Sequence, residues 1–446
     1  MAVKHTLNNS ELSTIISDMI GAASKQAGVT AVAVGGSLDS GLSATVRLGE
    51  VETVEFNRDK SLSIMVYKQQ RKGIVSITDL SQAAIDSAIQ AACRIADYTE
   101  SDPYSGLADP QFLAKNIQDL KLHHPADVTP ELAIEHAKEC EAAALSFDSK
   151  ISNSEGGNFS THEQFYVYGN SDGFLAAYPT SKYAAYCTVI GQVGSNMQRD
   201  YDYTVARNIH DLKSLKEVGI KAAQKTIARL GARKIKTCKA PVILIPKVAC
   251  SFWGSLIAAI SGGSLYRKSS FLLDSLNKQL FPKFVNIKEY PHLLKGLGSA
   301  PFDNEGVATN EKFIISEGVL STYLLSSYSA RRLGMQTTGN AGGVHNLTIT
   351  PGTDDFEQLK KQLGTGLIVT ELLGHGANIV TGDYSQGAAG FWVENGEIAY
   401  PVEEITIASN LLQMFSSLVA IGNDVDHASN IITGSVLLSE MTIAGE

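Results

Sequence analysis

Several short stretches carry residue types that could do chemistry. In GGSLYRKSS, Gly262, Lys268 and Ser269 fit the phosphate-loop pattern of Gly, any four, Gly, Lys, Ser or Thr, except that Arg267 replaces the second glycine. That glycine normally sits where a side chain would crowd the phosphates. The stretch also follows the helix-like SFWGSLIAAIS, whereas a phosphate loop follows a strand. Gly262 and Gly263 therefore read as a helix C-cap, not a nucleotide site. Ser171 in GNSDG fits a nucleophile elbow, which needs a strand before and a helix after. Both flanks, EQFYVY and FLAAY, read as strands, so a hairpin turn is expected. His162-Glu163 opens like a zinc-protease helix, but Tyr166 stands at the second histidine's place, in a segment that reads as strand. His136 and Cys140 lie four apart on a helix and could share a metal, with no third ligand in sight. His123-His124 lies in a proline-flanked loop and reads as solvated.

His375, in ELLGHGANIVTGDYSQGAAGFW, is flanked by glycines that let backbone approach a ligand closely. Asp383, Tyr384 and Ser385 follow within the same Gly-rich region, read as a loop. Such loops often bind ligands. A tight structural loop with a satisfied histidine fits equally well, and both readings stay open. Arg267, His375, Asp383 and Tyr384 are the candidate substrate-binding residues. No complete catalytic set emerges from the residues alone.

The elements that must position these groups read as α+β. Leu12, Ile15, Ile16, Met19, Ile20 and Ala23 recur at helical spacing before Gly28. Hairpins follow, around Leu48–Glu50 and around Arg71–Gly73. Ser81 caps one helix, and Thr129 caps another with Pro130 in its first turn. Residues 151–210 read as β-rich, and a long helix ends near Gly231. APVILIPKVACSFWGSLIAAISGG reads as a buried strand and then a buried helix; Pro246 and Lys247 split it below the about 20 residues a bilayer span needs. Beyond it, hairpins turn at Glu317-Gly318 and Asn395-Gly396, and FEQLKKQL forms a short amphipathic helix. The expected division is an N-terminal α+β domain of helices on a mostly antiparallel sheet, 1–235, and a β-rich domain, 236–446.

The 446 residues carry a net charge of −9, which argues against a general nucleic-acid binder. The 5 cysteines show no CxxC pairing. They suggest reduced thiols and a cytoplasmic location. MAVKHTLNNSEL lacks the apolar core of a signal peptide.

The motifs SGGSLYRKSSFLLDSL, PHLLKGLGSAPFDNEG, SYSARRLGMQTTGNAGGVHN, TGDYSQGAAGFWVENGEIAYPVEEITIASN and IGNDV together resemble the TldD/PmbA family, once called modulators of DNA gyrase. GEVETVEFNRDKSLSIMVY and RKGIVSITDLS are similar to it as well, so the likeness spans nearly the whole chain, nearest to the PmbA/TldE branch. The resemblance implies a cytoplasmic metallopeptidase built as a TldD–TldE heterodimer, acting on small peptides and unfolded proteins. In the TldD branch the metal motif is His-Glu, any three, His, with a later cysteine. There the histidines bind zinc and the glutamate activates its water. Aligned on the Asn-Arg-Lys segment that follows the motif, Tyr266, Arg267 and Lys268 place Gly254, Ser255 and Ala259 at the ligand and base positions. None of the three can do that work, and no cysteine follows Cys250.

The resemblance thus implies a chain with no metal of its own, whose TldD-like partner supplies the zinc while this chain shapes the peptide chamber. A homodimer in isolation is compatible with it; direct nucleic-acid or membrane binding is not expected. The alternatives are a stand-alone peptide-binding or regulatory module, and a hydrolase that uses Ser171.

Overall fold

The computed structural model describes residues 9–445. The expectation about a signal peptide falls mainly on Met1–Asn8, outside the described residues. The N-terminal elements are α1 (Asn9–Ser24), β1 (Ala31–Arg47), β2 (Glu50–Lys68), β3 (Arg71–Ile77), α2 (Gln82–Tyr98), α3 (Pro130–Leu145), β4 (Ile151–Asn170), β5 (Leu175–Val193), β6 (Asn196–Ala206) and α4 (Leu215–Ala228). Their caps follow from local chemistry: Ser81 Oγ accepts from the Ala84 N–H, and Thr129 Oγ1 from that of Leu132.

The strands form one antiparallel sheet in the order β3-β2-β1-β4-β5-β6. Alternation sends Val32, Val34, Leu42, Phe159, Tyr183, Ala185, Cys187 and Val189 to one face, where they pack with α1, α2, α3 and α4. Among the described residues the other face carries no α-helix of this half. Tyr166, Tyr168, Tyr178 and Ala176 on it pack against Phe302 from the C-terminal half.

The hairpin expected around Arg71–Gly73 turns two residues earlier. Gln69 and Gln70 take the left-handed backbone that a tight hairpin needs, with φ of 48° and 69°. Gly73 instead lies inside β3, where a Cβ would stand 1.9 Å from the Ala92 carbonyl of α2. Its job is close helix–sheet approach, which chain-local turn signals do not reveal.

The remaining elements are β7 (Cys238–Leu244), α5 (Pro246–Ala259), α6 (Gly262–Tyr266), β8 (Ile287–Glu289), β9 (Lys312–Ser316), β10 (Val319–Leu320), α7 (Ser327–Leu333), β11 (Leu347–Ile349), α8 (Phe356–Leu363), β12 (Gly366–Leu373), β13 (Asp383–Glu394), β14 (Glu397–Asn410), α9 (Leu411–Ser416), β15 (Leu418–Ile421), β16 (Ile431–Ile432) and β17 (Val436–Ala444). The β9–β10 and β13–β14 hairpins turn at Glu317-Gly318 and Asn395-Gly396, all four residues at positive φ. One sheet runs β10-β9-β8-β11-β16. The other runs β14-β13-β12-β7-β17-β15, and β14 also pairs with β17, closing it on itself. The fold is thus α+β throughout.

The large C-terminal core holds Phe252, Trp253, Phe281 and Phe415 in mutual ring contact. Each such side chain contributes about 1.5–3 kcal/mol by burial. Trp253 Nε1–H also donates to Thr433 Oγ1 at 3.0 Å, so its polar end is satisfied. Glu289, fully buried, pins the 340–345 loop: it accepts from Asn340 Nδ2 and the His345 backbone N–H, and pairs with Lys312 Nζ at 2.6 Å. Burial pushes its carboxyl up, but the His345 hydrogen bond and the Lys312 charge outweigh this and hold it at about 2.

All the cysteines are free thiols. Among the described residues no helix is long and apolar enough to cross a membrane.

Candidate functional site

Helix α5 begins at Pro246, whose missing N–H costs nothing at a first turn. Its side chains divide by helical spacing. Phe252, Trp253, Leu256 and Ala259 enter the core, whereas Lys247, Ser251, Gly254, Ser255 and Ala258 line a cleft of about 620 Å³. Positions 254 and 259 are about 140° apart on a regular helix. Accordingly Gly254 and Ser255 reach the cleft, and Ala259, fully buried, does not. A Cβ at Gly254 would meet nothing within 4 Å, so the backbone leaves room for a side chain that the sequence does not provide. Ser255 Oγ–H is directed at the Ser251 carbonyl of its own helix, at 3.2 Å.

The opposite wall comes from the end of β12, with Thr370 and Glu371, and from the loop bearing His375. Gln386 on β13 holds that loop by donating from Nε2 to the Gly374 carbonyl at 2.7 Å. The His375 side chain is exposed on the rim. Glu371 is paired with Arg229 at 2.6 Å. The floor is Tyr201 of β6, with Lys247 Nζ 3.6 Å from its ring centre. The cleft is therefore built from both halves of the chain.

Tyr201 also opens onto a shallow aromatic shelf with Tyr186, Tyr203 and Thr188, on the helix-free face of the N-terminal sheet. Tyr201, Lys247, Glu371 and Gln386 were not singled out from the sequence. The available signal was QRDYDYTVA, where tyrosines at alternate strand positions mark one aromatic face.

Of the candidate binding residues, only His375 lies in this cleft. Asp383 and Tyr384 do not sit in a loop, as read from the sequence: β13 begins at Asp383 and its side chains alternate. Asp383 is exposed and accepts from Thr381 Oγ1, while Tyr384 points into the core, where burial pushes its phenol up to about 12. Arg267 lies elsewhere on the surface and donates to the Tyr266 hydroxyl. Tyr266 stacks edge-on with Tyr328, which in turn donates to Asp102 Oδ2.

The Gly262-Gly263 pair is not a C-cap. α5 ends at Ala259 with Ile260, not glycine, as its C-cap, and Ser261 is the N-cap of the short α6 that the glycines open. The Gly262 N–H is spent on the Leu324 carbonyl, and a Cβ there would lie 2.2 Å from Ser329 Oγ. Gly262 is glycine because α6 and α7 approach closely at that point, whereas a Cβ at Gly263 would meet only the Arg267 guanidinium, at 3.2 Å.

Ser171 lies in the β4–β5 turn, as expected. Its Oγ accepts the Val32 N–H at 3.0 Å and its own N–H donates to the Val32 carbonyl. His162 is in strand β4, 3.5 Å from Asp39. His136 packs on the Phe159 ring, and the Cys140 and Cys187 thiols are buried beside each other, which with desolvation raises Cys187. His124 is half-buried rather than fully solvated, and its N–H donates to Ser181 Oγ.

Sequence models of three PmbA/TldA metallopeptidase domains match this chain: domain 1 over residues 32–96, the central domain over 123–230 and the C-terminal domain over 237–445. The metalloprotease PmbA of Escherichia coli O157:H7 is 53% identical over 410 residues, 92% of this chain and 91% of that protein. A crystal structure of a candidate modulator of DNA gyrase from Bacteroides thetaiotaomicron superposes with a TM-score of 0.93 at 28% identity, covering 98% of this chain and 100% of that one. TldE from Thermococcus kodakarensis shares the fold, with a TM-score of 0.84 at 20% identity, covering 97% and 100%.

The matching family models are those of metallopeptidases, which implies a metal, and the cleft does not fit one. Gly254 and Ala259 have no ligand atom, and a serine hydroxyl is a poor ligand and base at neutral pH. Among the described residues no three His, Cys, Asp or Glu side chains converge to hold an ion.

Proposed function

The chain belongs to the PmbA/TldA metallopeptidase family, and from that membership we propose that it is the subunit of a two-chain zinc peptidase that shapes the peptide chamber and leaves the metal to a TldD-like partner. The observation that carries this reading is the cleft face of α5. The helix, the cleft and the space beside Gly254 are built, but the side chains are Gly254 and Ser255. With no ligand or base there, this chain's part is binding and positioning.

The aromatic shelf of Tyr186, Tyr201 and Tyr203 supports it. Tyrosine faces offer apolar contact to many side chains, and β6, the last strand of its sheet, can pair with an extended peptide through its backbone. Such contacts grip small peptides and unfolded segments with little regard for sequence. The acidic net charge of −9 supports protein over nucleic-acid partners, and the unpaired thiols support a cytoplasmic setting.

Co-elution with a TldD-like subunit tests the proposal. The two chains are expected to run as one heterodimer on size exclusion, and unstructured peptides to be cleaved faster by the mixture than by the partner alone. Separate elution, with cleavage by the partner unaffected by this chain, would instead make it a stand-alone peptide-binding module.

A further inference from the structure

A second cavity lies at the far end of the same sheet face. Pairing sets Thr188 opposite Tyr201, Tyr186 opposite Tyr203, Ala184 opposite Val205, and His162 opposite Lys182. The aromatic shelf therefore leads, by strand alternation, to Lys182 and to Arg207 just past the end of β6. From Tyr201 to Arg207 the strand runs about 20 Å. There the sheet meets the 297–304 and 341–345 loops of the C-terminal half and encloses about 370 Å³.

The charges in this cavity are unbalanced. Arg207 is half-buried, and two of its donors go to the carbonyls of Ser181 and Leu297, at 3.2 and 2.7 Å. Its Nε is buried without a partner. No carboxylate pairs with Arg207 or with Lys182 among the described residues. Among the described residues Asp303 is the one carboxylate that lines the wall, and both its oxygens are held by backbone: Oδ1 by the Glu305 and Val307 N–H groups, Oδ2 by that of Ala341. His162 adds little charge, since burial holds it below its usual range despite Asp39. A partly desolvated guanidinium without an anion is costly, and a bound anion would remove that cost.

We propose that this cavity is a carboxylate-binding subsite, with Arg207 and Lys182 as its cations, and that in the chamber it holds the C-terminal carboxylate of a peptide lying along the β5–β6 face. The second part rests on the peptide-chamber reading; the first does not. The separation makes the peptide about six residues long between the subsite and the cleft at Gly254.

N-acetylglycine and its uncharged amide, titrated into the full chain at low salt, test the first part through the side-chain NMR signals of Arg207 and His162. The acid is expected to shift both saturably and the amide neither. Lys182→Gln, at an exposed unpaired residue, should weaken the acid at least about threefold with the fold intact, and Arg207→Gln should abolish the response. Equal responses to acid and amide, no response, or saturation by inorganic phosphate at lower concentration than by N-acetylglycine would each overturn the assignment.

Peptides long enough to span the trough test the second part. Free-acid forms should bind about tenfold tighter than C-terminal amides, the size of a charge-assisted hydrogen bond. An amidated peptide ending in glutamate that binds as tightly as the free acid would overturn the terminal assignment. If N-acetylglycine binds and no peptide does, the subsite stands and the peptide-chamber reading falls.

Discussion

Ser171 fits a nucleophile pattern in sequence and Ser255 stands at the family's base position, and both hydroxyls are occupied by backbone. Ser171 Oγ accepts the Val32 N–H, so Ser171→Ala is expected to cost about 1 kcal/mol in a urea titration. It should leave cleavage by the assembled pair within about twofold. Ser255→Ala should be equally silent in that assay, because its hydroxyl faces its own helix carbonyl; a loss of activity with intact assembly would give Ser255 a role in chemistry. Glu289 sets a pH dependence. Its folded pKa is depressed to about 2 from 4.5, so its contribution is present above pH 4.5 and is lost as pH falls toward 2. The contribution is about 3 kcal/mol. Glu289→Gln should be less stable than the parent at pH 7 by about 3 kcal/mol, with the gap closing in acid, as followed by denaturation at several pH values. A gap independent of pH would contradict the ion-pair account. The glycines around His375 left a binding loop and a tight structural loop equally open in sequence; the fold sets the residue on the cleft rim, with Gly376 packed close against Ser385 and Gln386 of β13. Tyr384 was misplaced because DYSQG carries strand alternation under loop-like composition, and alternation sends Tyr384 inward.

The N-caps at Ser81 and Thr129, most hairpin turns and the buried β7–α5 unit could be read from the chain, because an N-cap or a two-residue turn is decided by neighbours in sequence. The glycine roles could not. Gly73 and Gly262 are selected by elements far along the chain, α2 against β3 and α7 against α6, and in sequence they look like turn and cap signals. Gly262→Ala tests this, since its Cβ would fall on Ser329 Oγ and Cβ, at 2.2 and 2.4 Å. It should destabilise the chain by about 2 kcal/mol in chemical denaturation. A change under about 0.5 kcal/mol would mean that the residue serves only as a cap. The closure of the C-terminal sheet through β14 and β17 was likewise invisible, because it pairs residues about 35 apart by register alone.

At the scale of the whole molecule, the cleft and the carboxylate subsite both lie where the helix-free face of the N-terminal sheet meets the C-terminal half, and neither half holds either alone. That is why motif reading found fragments of a site and no catalytic set. The central claim is that this chamber borrows its metal. Zinc content and peptide cleavage, measured on the same preparations of this chain alone and of its mixture with a TldD-like subunit, test it most directly. The account predicts substoichiometric zinc and no cleavage for the chain alone, with about one zinc per heterodimer and cleavage in the mixture. Stoichiometric zinc together with peptide cleavage by this chain alone would contradict it.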